Sequence, residues 1–255
     1  MAQPYPAGLA DSAAEPPGPG GAARSARRGA RQGGAPGRGA GASPGSLYDP
    51  ANEHDACGVA FVADIEGRRS HSVVTRALGA LCRLDHRGAR GAEPNTGDGA
   101  GISIGIPDEF LRAVVDFPLP PVGSYAVGLV FLPDDDERAG KAVAVLDKYA
   151  IVEGATVLGW RDVPTDPEGL GSSALAAMPR IRQVFLAAAD LRTGAPLSGI
   201  ALDRVAFCVR KQAEREARER GLSMYFCSLS ARTIVYKGML TAPQMSGYYP
   251  DLKDE

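Results

Sequence analysis

An α+β domain is the fold class that this sequence predicts, on two observations. Short apolar runs typical of strands are mixed with amphipathic helices, but the helices do not recur between every pair of strands, which disfavours a doubly wound parallel sheet. The chain has 255 residues, 44% of them hydrophobic, and this is enough material for one large domain with a buried core. We find no internal repeat.

The helices are predicted from apolar residues spaced three and four apart. They are residues 70–85 behind the cap Ser70, a short helix from Pro107 to Asp116, residues 137–149 and residues 202–220. The strands are predicted from apolar runs bounded by turn residues: residues 57–65, 100–106, 125–132, 155–163, 180–189, 223–230 and 233–237. We expect the last two strands to form a hairpin around Ala231 and Arg232.

Residues 1–46 form a low-complexity tail that differs from the rest of the chain. The tail contains 12 Ala, 11 Gly, 7 Pro and five arginines, against two acidic residues. Its only large aliphatic residue is Leu9, so we expect it to be disordered because it cannot offset its ordering entropy. It has no apolar run that would make a secretory signal, whereas a transit peptide or a basic arm for nucleic acid stays open.

Charge and hydropathy exclude two classes of protein. The longest apolar runs are far shorter than the roughly 18 residues of a membrane helix, so no membrane span is expected. The chain has 28 basic and 30 acidic residues, a formal net charge of −2, which disfavours nucleic-acid binding driven by charge. The charged end of the last helix has opposite charges four residues apart and is interpreted as a solvated face: Glu214/Arg218, Arg215/Glu219 and Glu216/Arg220.

The four cysteines are too few and too widely spaced for a disulfide scaffold, so we expect reduced thiols and a cytoplasmic protein. The sequence has no Cys-x-x-Cys or His-x-x-x-His pair, and His54 with Cys57 would supply only two ligands, so no metal site is predicted. Cys82, Cys208 and Cys227 fall within predicted helices or strands and are interpreted as core residues.

The glycine-rich run Thr96-Gly97-Asp98-Gly99-Ala100-Gly101 lacks the Gly-Lys-Ser/Thr of a phosphate-binding loop and precedes a strand. We therefore interpret these glycines as a tight turn that approaches another stretch of backbone.

Cys57 is the candidate for chemistry, although a small buried residue is the competing interpretation. It begins the first predicted strand and precedes Gly58, which would let backbone or ligand come close. The cluster His86-Arg87-Gly88-Ala89 ends the following helix. An arginine there would reach the start of the strand, where its charge would lower a thiol pKa or hold a carboxylate.

Several motifs, in this order, resemble the class II glutamine amidotransferases, and among them the glutamate synthase large subunits. The motifs are Tyr48-Asp49-Pro50, Cys57-Gly58, His86-Arg87-Gly88-Ala89, Thr96 to Gly101, Gly159-Trp160-Arg161, 181–185, 228–233 and 236–240. The resemblance covers residues 47–255. It implies an N-terminal-nucleophile hydrolase fold, which is an αββα layered sandwich, and a glutaminase activity.

The resemblance also implies roles for residues. Cleavage between Ala56 and Cys57 would make Cys57 the N-terminal nucleophile, with its own α-amino group as base, and Arg87 would organise the charge around it. Gly58, His86, Gly88, Thr96, Gly97, Asp98 and Gly99 would support the site. The ammonia released from glutamine would serve the amination of 2-oxoglutarate at a distant flavin site.

The cofactors and protein partners implied by the resemblance lie outside this chain. An FMN and an iron–sulfur cluster are expected in the full-length enzyme, together with a reductase small subunit or ferredoxin. The family's Asn-Gly oxyanion pair and its Arg-Phe-Ser-Thr segment are absent from the 255 residues, whose only asparagines are Asn52 and Asn95. We therefore expect an amidotransferase domain that is incomplete at its C-terminus, and an isolated chain with little activity.

Two alternatives stay open. One is another class II amidotransferase, serving for example purine or amino-sugar synthesis, which the Thr96–Gly99 insertion and residues 236–239 disfavour. The other is a truncated remnant without catalytic activity.

Overall fold

The structure is a computed structural model of the chain, and it describes residues 57–88 and 93–254. All of these residues belong to one compact unit, Ala51–Glu255. The predicted tail 1–46, the Tyr48-Asp49-Pro50 motif, the cleavage site at Ala56 and the motif residue Ala89 lie outside the described residues.

The described residues contain six α-helices and six strands. The helices are α1 (His71–Arg83), α2 (Asp108–Val114), α3 (Asp136–Val152), α4 (Ser172–Ala176), α5 (Gly199–Glu219) and α6 (Met245–Tyr248). The strands are β1 (Ala100–Gly105), β2 (Ala126–Leu132), β3 (Ala155–Asp162), β4 (Arg180–Ala188), β5 (Tyr225–Phe226) and β6 (Thr233–Gly238). Within this part of the chain, no helix combines the length and the hydropathy needed to cross a bilayer.

The strands form two antiparallel sheets. The larger sheet has the order β3-β4-β2-β5, and the smaller one pairs β1 with β6. In the larger sheet Ala126 lies opposite Leu186 and Leu132 opposite Arg180, whereas in the smaller sheet Ala100 lies opposite Gly238. Helices and antiparallel strands in one unit confirm the predicted α+β class.

The larger sheet buries apolar side chains on both faces because successive residues of a strand point to opposite sides. One core cluster unites β2 and β4 with α3 and α5, through residues such as Val130, Leu186, Leu146 and Val209. The other cluster contains Leu129 and Phe185 from the same two strands, Ile234 and Tyr236 from β6, and the partly buried Val74, Leu78 and Leu81 of α1.

Most predicted elements are confirmed to within a few residues. α1 begins at the predicted cap, since the Ser70 hydroxyl accepts a hydrogen bond from the Ser72 amide. The short helix after Pro107, the strands at 100, 125, 155 and 180, and the long helices α3 and α5 are also where the sequence predicts them. The short helices α4 and α6 were not predicted.

The prediction of a strand at residues 57–65 is wrong. This segment has no strand structure, and Val59, Phe61 and Ile65 are 88%, 93% and 101% exposed. Its only regular feature is a turn in which the Asp64 carboxylate accepts hydrogen bonds from the amides of Glu66 and Arg68. An apolar run becomes a strand only where another strand satisfies its backbone groups.

The predicted hairpin of residues 223–230 and 233–237 is also wrong. β5 pairs with β2 in the larger sheet, whereas β6 pairs with β1 in the smaller one. Between them the Ser230 hydroxyl accepts hydrogen bonds from the amides of Arg232 and Thr233. This serine turn directs the chain from one sheet to the other instead of folding it back on itself.

The interpretation of the charged end of α5 as a uniformly solvated face is wrong for Glu216. This residue is 8% exposed and accepts hydrogen bonds from Lys148 Nζ and the Tyr149 hydroxyl of α3, each at 2.6 Å. Of the three predicted ion pairs only Glu216/Arg220 forms among the described residues. Glu214 pairs with Arg210 instead of Arg218, because α5 packs along α3 and the edge of the larger sheet.

Candidate active site

Cys57 and Gly58 lie beside the turn that carries Arg87. The side chain of Cys57 is exposed. A Cβ atom on Gly58 would lie 3.2 Å from Arg87 Cβ and 3.0 Å from Leu84 Cβ, closer than nearly all contacts of that kind. A glycine therefore permits this approach. The structure brings the candidate nucleophile's neighbour against the candidate arginine, and the catalytic roles of Cys57 and Arg87 stay predictions.

Arg87 is the last residue of a 3₁₀ turn, Asp85–Arg87, that directly follows α1. Its amide donates to the Leu84 carbonyl at 2.8 Å, and the Gly88 amide donates to the Asp85 carbonyl at 3.1 Å. His86 Nδ1 lies 3.0 Å from the Arg83 carbonyl oxygen. These bonds fix the backbone of the turn, and the Arg87 Cβ and Cγ atoms lie against Gly58.

The glycines of the Thr96–Gly101 run make the close backbone approaches that the sequence predicts. A Cβ on Gly97 would lie 2.6 Å from the Leu240 carbonyl oxygen, and one on Gly101 would lie 2.8 Å from Lys237 Cβ. Gly99 has a φ of +148°, which side-chain-bearing residues rarely adopt. This run therefore packs on the end of β6 and the residues after it. Asp98 between them is exposed.

A carboxylate that the sequence analysis missed anchors this loop. Glu93 accepts hydrogen bonds from the Ser172 hydroxyl, from the Ser173 amide at 3.1 Å and from the Thr96 hydroxyl at 2.8 Å. These bonds, that of Ser172 above all, lower the pKa of Glu93 to about 2. No local pattern could have revealed the anchor, because Ser172 is 79 residues away along the chain.

The Gln244 side chain also binds the loop that contains Asn95. Its side-chain amide donates to the Asn95 carbonyl at 3.0 Å and to the Gly169 carbonyl at 2.8 Å. Its Oε1 accepts a hydrogen bond from the Thr241 amide as part of a capping box. Residues 93–96, ahead of β1, are thus tied to Ser172 and Ser173 through Glu93 and to the Gln244 side chain through the Asn95 carbonyl.

Three motif residues from the sequence analysis meet in a buried polar network. Arg161 makes two 2.8 Å bonds to the Asp251 carboxylate and one of 2.9 Å to Gln183 Oε1. Gln183 Nε2 donates to the Tyr236 hydroxyl at 2.9 Å, and that hydroxyl donates to Asp251 at 3.0 Å. Burial first, and then the Asp251 charge, raise the pKa of Tyr236. We assign these residues to holding β3, β4 and β6 together.

The structure corrects the interpretation of two cysteines. Cys82 and Cys208 are exposed, not core residues, because each lies on the outward side of its helix. Cys227 is half-buried and packs against the second core cluster, as the sequence predicts. Burial raises the pKa of the Cys227 thiol to about 12, so this thiol stays protonated and unreactive at neutral pH.

The described residues do not group His, Cys, Asp and Glu side chains in a way that fits a metal ion or an iron–sulfur cluster. All four cysteines are free thiols on separate elements, whereas a cluster needs several thiolates close together. These residues therefore do not fit an iron–sulfur cluster, which the family resemblance places outside this chain.

Comparison with known proteins settles the family. The family model of class-II glutamine amidotransferases matches residues 57–255, beginning at Cys57. The chain belongs to this family. The match starts at the residue that the sequence analysis chose as the candidate nucleophile, and it covers every described residue up to Asp254.

This chain is similar to several glutamate synthases. It is 42% identical to the glutamate synthase [NADPH] large chain of Bacillus subtilis over 82% of this chain, and 40% identical to the glutamate synthase [NADH] of Saccharomyces cerevisiae over 81%. It is 39% identical to ferredoxin-dependent glutamate synthase 1 of Arabidopsis thaliana over 82%. The aligned part spans only 14%, 10% and 13% of those relatives.

Proposed function

We propose that this domain hydrolyses the side-chain amide of glutamine, with Cys57 as the nucleophile. The observation that carries the proposal is the contact of Gly58 with the Arg87 turn, where a Cβ would come within 3.2 Å of Arg87 Cβ. The Arg87 turn therefore lies against the start of the described chain, and a guanidinium that reached the Cys57 thiol from there would favour the thiolate, which is the form that attacks.

The base that activates Cys57 would be its own α-amino group. Removal of residues 1–56 would create this amine, whose reference pKa of about 7.7–8.0 suits proton transfer near neutral pH. The amine would accept the thiol proton directly or through a water molecule. Nucleophile and base would then belong to one residue, so that no histidine is needed for the step.

The reaction would follow two steps. The Cys57 thiolate attacks the amide carbon of glutamine and forms a tetrahedral intermediate, from which ammonia leaves with the proton returned by the amine. Water then hydrolyses the glutamyl thioester, which releases glutamate and regenerates the thiol. Arg87 would stabilise negative charge near the new N-terminus, and the Glu93 and Gln244 anchors would keep the following loop in place.

In a full-length glutamate synthase the ammonia would be passed on to 2-oxoglutarate. Two of the relatives are named for NADPH and NADH, and a third is named as ferredoxin-dependent. By analogy we place FMN, an iron–sulfur cluster and a reductase small subunit or ferredoxin with the rest of such an enzyme, outside these residues. The proposed fold is the family's αββα sandwich, and the four unpaired thiols favour a reducing cytoplasm.

The oxyanion hole is the part of the site that these residues leave unfilled. The family pattern uses an Asn-Gly pair, and the 255 residues contain none. Loss of a single oxyanion donor typically slows acyl transfer by about 10²–10³. A polypeptide of these 255 residues alone is therefore expected to release ammonia from glutamine slowly.

The proposal is tested by ammonia release from glutamine in the protein purified from its own host. Replacement of Cys57 by Ala should abolish the release, whereas Cys208→Ala, which removes another exposed thiol, should leave it unchanged. A glutamine-mimicking electrophile should add its mass to Cys57 and to no other residue. Ammonia release that survives Cys57→Ala would overturn the proposal and favour a non-catalytic role for this domain.

A further inference from the structure

Two of the three acidic residues near the end of α5 turn inward, whereas Glu219 is exposed. Glu214 and Glu216 have side-chain exposures of only 12% and 10%. Glu214 accepts hydrogen bonds from Arg210 Nε at 3.1 Å and from the Phe226 amide at 3.2 Å, whereas Glu216 binds residues of α3. The sequence of α5 is balanced in charge, but its surface is not.

The outward residues of α5 form a basic stripe. Arg204, Lys211, Arg215 and Arg218 are exposed, and their spacing of seven, four and three residues places them on one face of the helix. Within the described residues, no carboxylate lies within 4.0 Å of the guanidinium groups of Arg204, Arg215 or Arg218, and Lys211 reaches only Glu214 at 3.4 Å. These charges are available to an outside partner.

A groove runs along this stripe, between α5 and the edge strand β5. Its volume is about 580 Å³, and Lys211 and Arg218 form part of its wall. Its floor is apolar, with Phe131, Leu132 and Met224. A groove with cations on its rim and apolar side chains beneath them fits a ligand that combines negative charge with an apolar group.

Two further cations contact residues that line the groove. Tyr225 lines the groove and is 43% exposed, and Lys237 Nζ lies 4.5 Å from the centre of its ring. At the far end, near Gly221, the Arg138 guanidinium donates to the Gly221 carbonyl at 2.8 Å. Among the described residues, the groove is lined by three basic side chains, Arg210, Lys211 and Arg218, and by one acidic one, Glu214.

We propose that this groove binds a short acidic segment of a partner protein, in which an apolar side chain lies next to the carboxylates. The wall from Arg210 to Arg218 is about 12 Å long at 1.5 Å per helical residue, which matches three or four residues of extended peptide. The carboxylates would bind Lys211 and Arg218 at the rim, as clusters of basic residues do with acidic motifs. The apolar side chain would rest on Phe131 and Leu132.

A nucleic acid fits this surface less well than an acidic peptide does. The floor of the groove is apolar, whereas nucleic-acid surfaces need a broad series of phosphate contacts. A single-stranded oligonucleotide is therefore the competitor that the experiment must include.

The experiment measures binding of a fluorescein-labelled peptide, Glu-Asp-Leu-Phe-Asp-Glu, to the 255-residue chain by fluorescence polarisation. We expect saturable binding that weakens with added salt. The double variant Lys211→Glu/Arg218→Glu should weaken it about tenfold or more, since charge reversal places repulsion where the carboxylates bind. The control Arg76→Glu/Arg192→Glu has the same net charge and alters exposed residues elsewhere, so it should keep the affinity within about twofold.

Three results would overturn the proposal. They are no binding at about 1 mM peptide, equal binding of a peptide whose acids are replaced by their amides, and an equal loss of affinity in both double variants. Tighter binding of oligo-dT than of the peptide would assign the groove to nucleic acid instead. Unchanged circular dichroism and melting temperature check that the variants fold, and Lys211→Gln/Arg218→Gln repeats the test without the reversed charge.

Discussion

Two apolar runs of this chain, of nearly equal length, lie in opposite environments. Strand β2 (Ala126–Leu132) is buried at six of its seven residues, whereas residues 57–65 are largely exposed. β2 has β4 on one side and β5 on the other, so its backbone groups are satisfied on both edges. The segment 57–65 has no partner strand among the described residues. An apolar run therefore forms a strand only where a second strand pairs with its backbone.

The largest expected difference between the two regions is the loss in free energy of unfolding when an apolar side chain is removed. Leu129→Ala in β2 removes a side chain with no exposed surface and should lower the free energy of unfolding by about 3 kcal/mol. Phe61→Ala removes a side chain that is 93% exposed and should change the free energy of unfolding by less than about 0.5 kcal/mol. Chemical denaturation measures both values. Similar values for the two variants would show that the segment 57–65 is packed.

Glycine substitution gives the next largest difference. A Cβ on Gly128 of β2 would lie 1.9 Å from the Ser228 carbonyl oxygen, and backbone cannot easily move aside. Gly128→Ala should therefore cost about 2–3 kcal/mol.

Gly105→Ala is the matched control in β1, since a Cβ there would meet nothing within 4 Å. Its effect on the free energy of unfolding should stay within about 0.5 kcal/mol. If Gly128→Ala were equally mild, the register of β2 against the residues around Ser228 would be wrong.

The cysteines of the two regions should differ in reactivity. Cys57 is exposed, whereas burial raises the pKa of Cys227 to about 12. Because only the thiolate is alkylated, iodoacetamide at pH 8 should modify Cys57, Cys82 and Cys208 at least about tenfold faster than Cys227. Peptide mass spectrometry against time measures the four rates. Rapid labelling of Cys227 in the folded protein would contradict its position in the second core cluster.

The smallest effect is expected at Glu93, whose pKa is lowered from its usual value of 4.5 to about 2 in the folded protein. A carboxylate with a depressed pKa stabilises the folded state fully above pH 4.5, and this stabilisation is lost as the pH falls toward 2. The melting temperature of Glu93→Gln should therefore lie below that of the parent at pH 7, and the two should converge near pH 2. Glu168→Gln is the control, and an identical pH dependence of both variants would refute the anchor.

Local patterns were sufficient for elements whose signals are contained in a few neighbouring residues. Ser70 caps α1 as its position predicts, and β2 and β4 are where their apolar runs lie. The predicted hairpin is wrong because β5 and β6 pair with strands that are distant in sequence, and they join different sheets. Glu216 looked solvated in the sequence because its partners Lys148 and Tyr149 are 68 and 67 residues away.

The residues of the candidate site also fall into two groups, those found from local motifs and those found only from the structure. Cys57, Arg87 and the glycine run could be found from the sequence because each is a compact motif. The anchor of Glu93 to Ser172 and the network of Arg161 with Asp251 join residues 79 and 90 positions apart. No spacing rule connects such residues, so only the folded chain reveals them.

The identity of the first residue of the mature protein tests the central claim most directly. The proposed mechanism needs the amino group of Cys57 to be free, because that group is the base. Intact-mass measurement and N-terminal sequencing of the protein purified from its host should find Cys57 as residue one. A mature protein that still carries Asp55 and Ala56 ahead of Cys57 would contradict the mechanism.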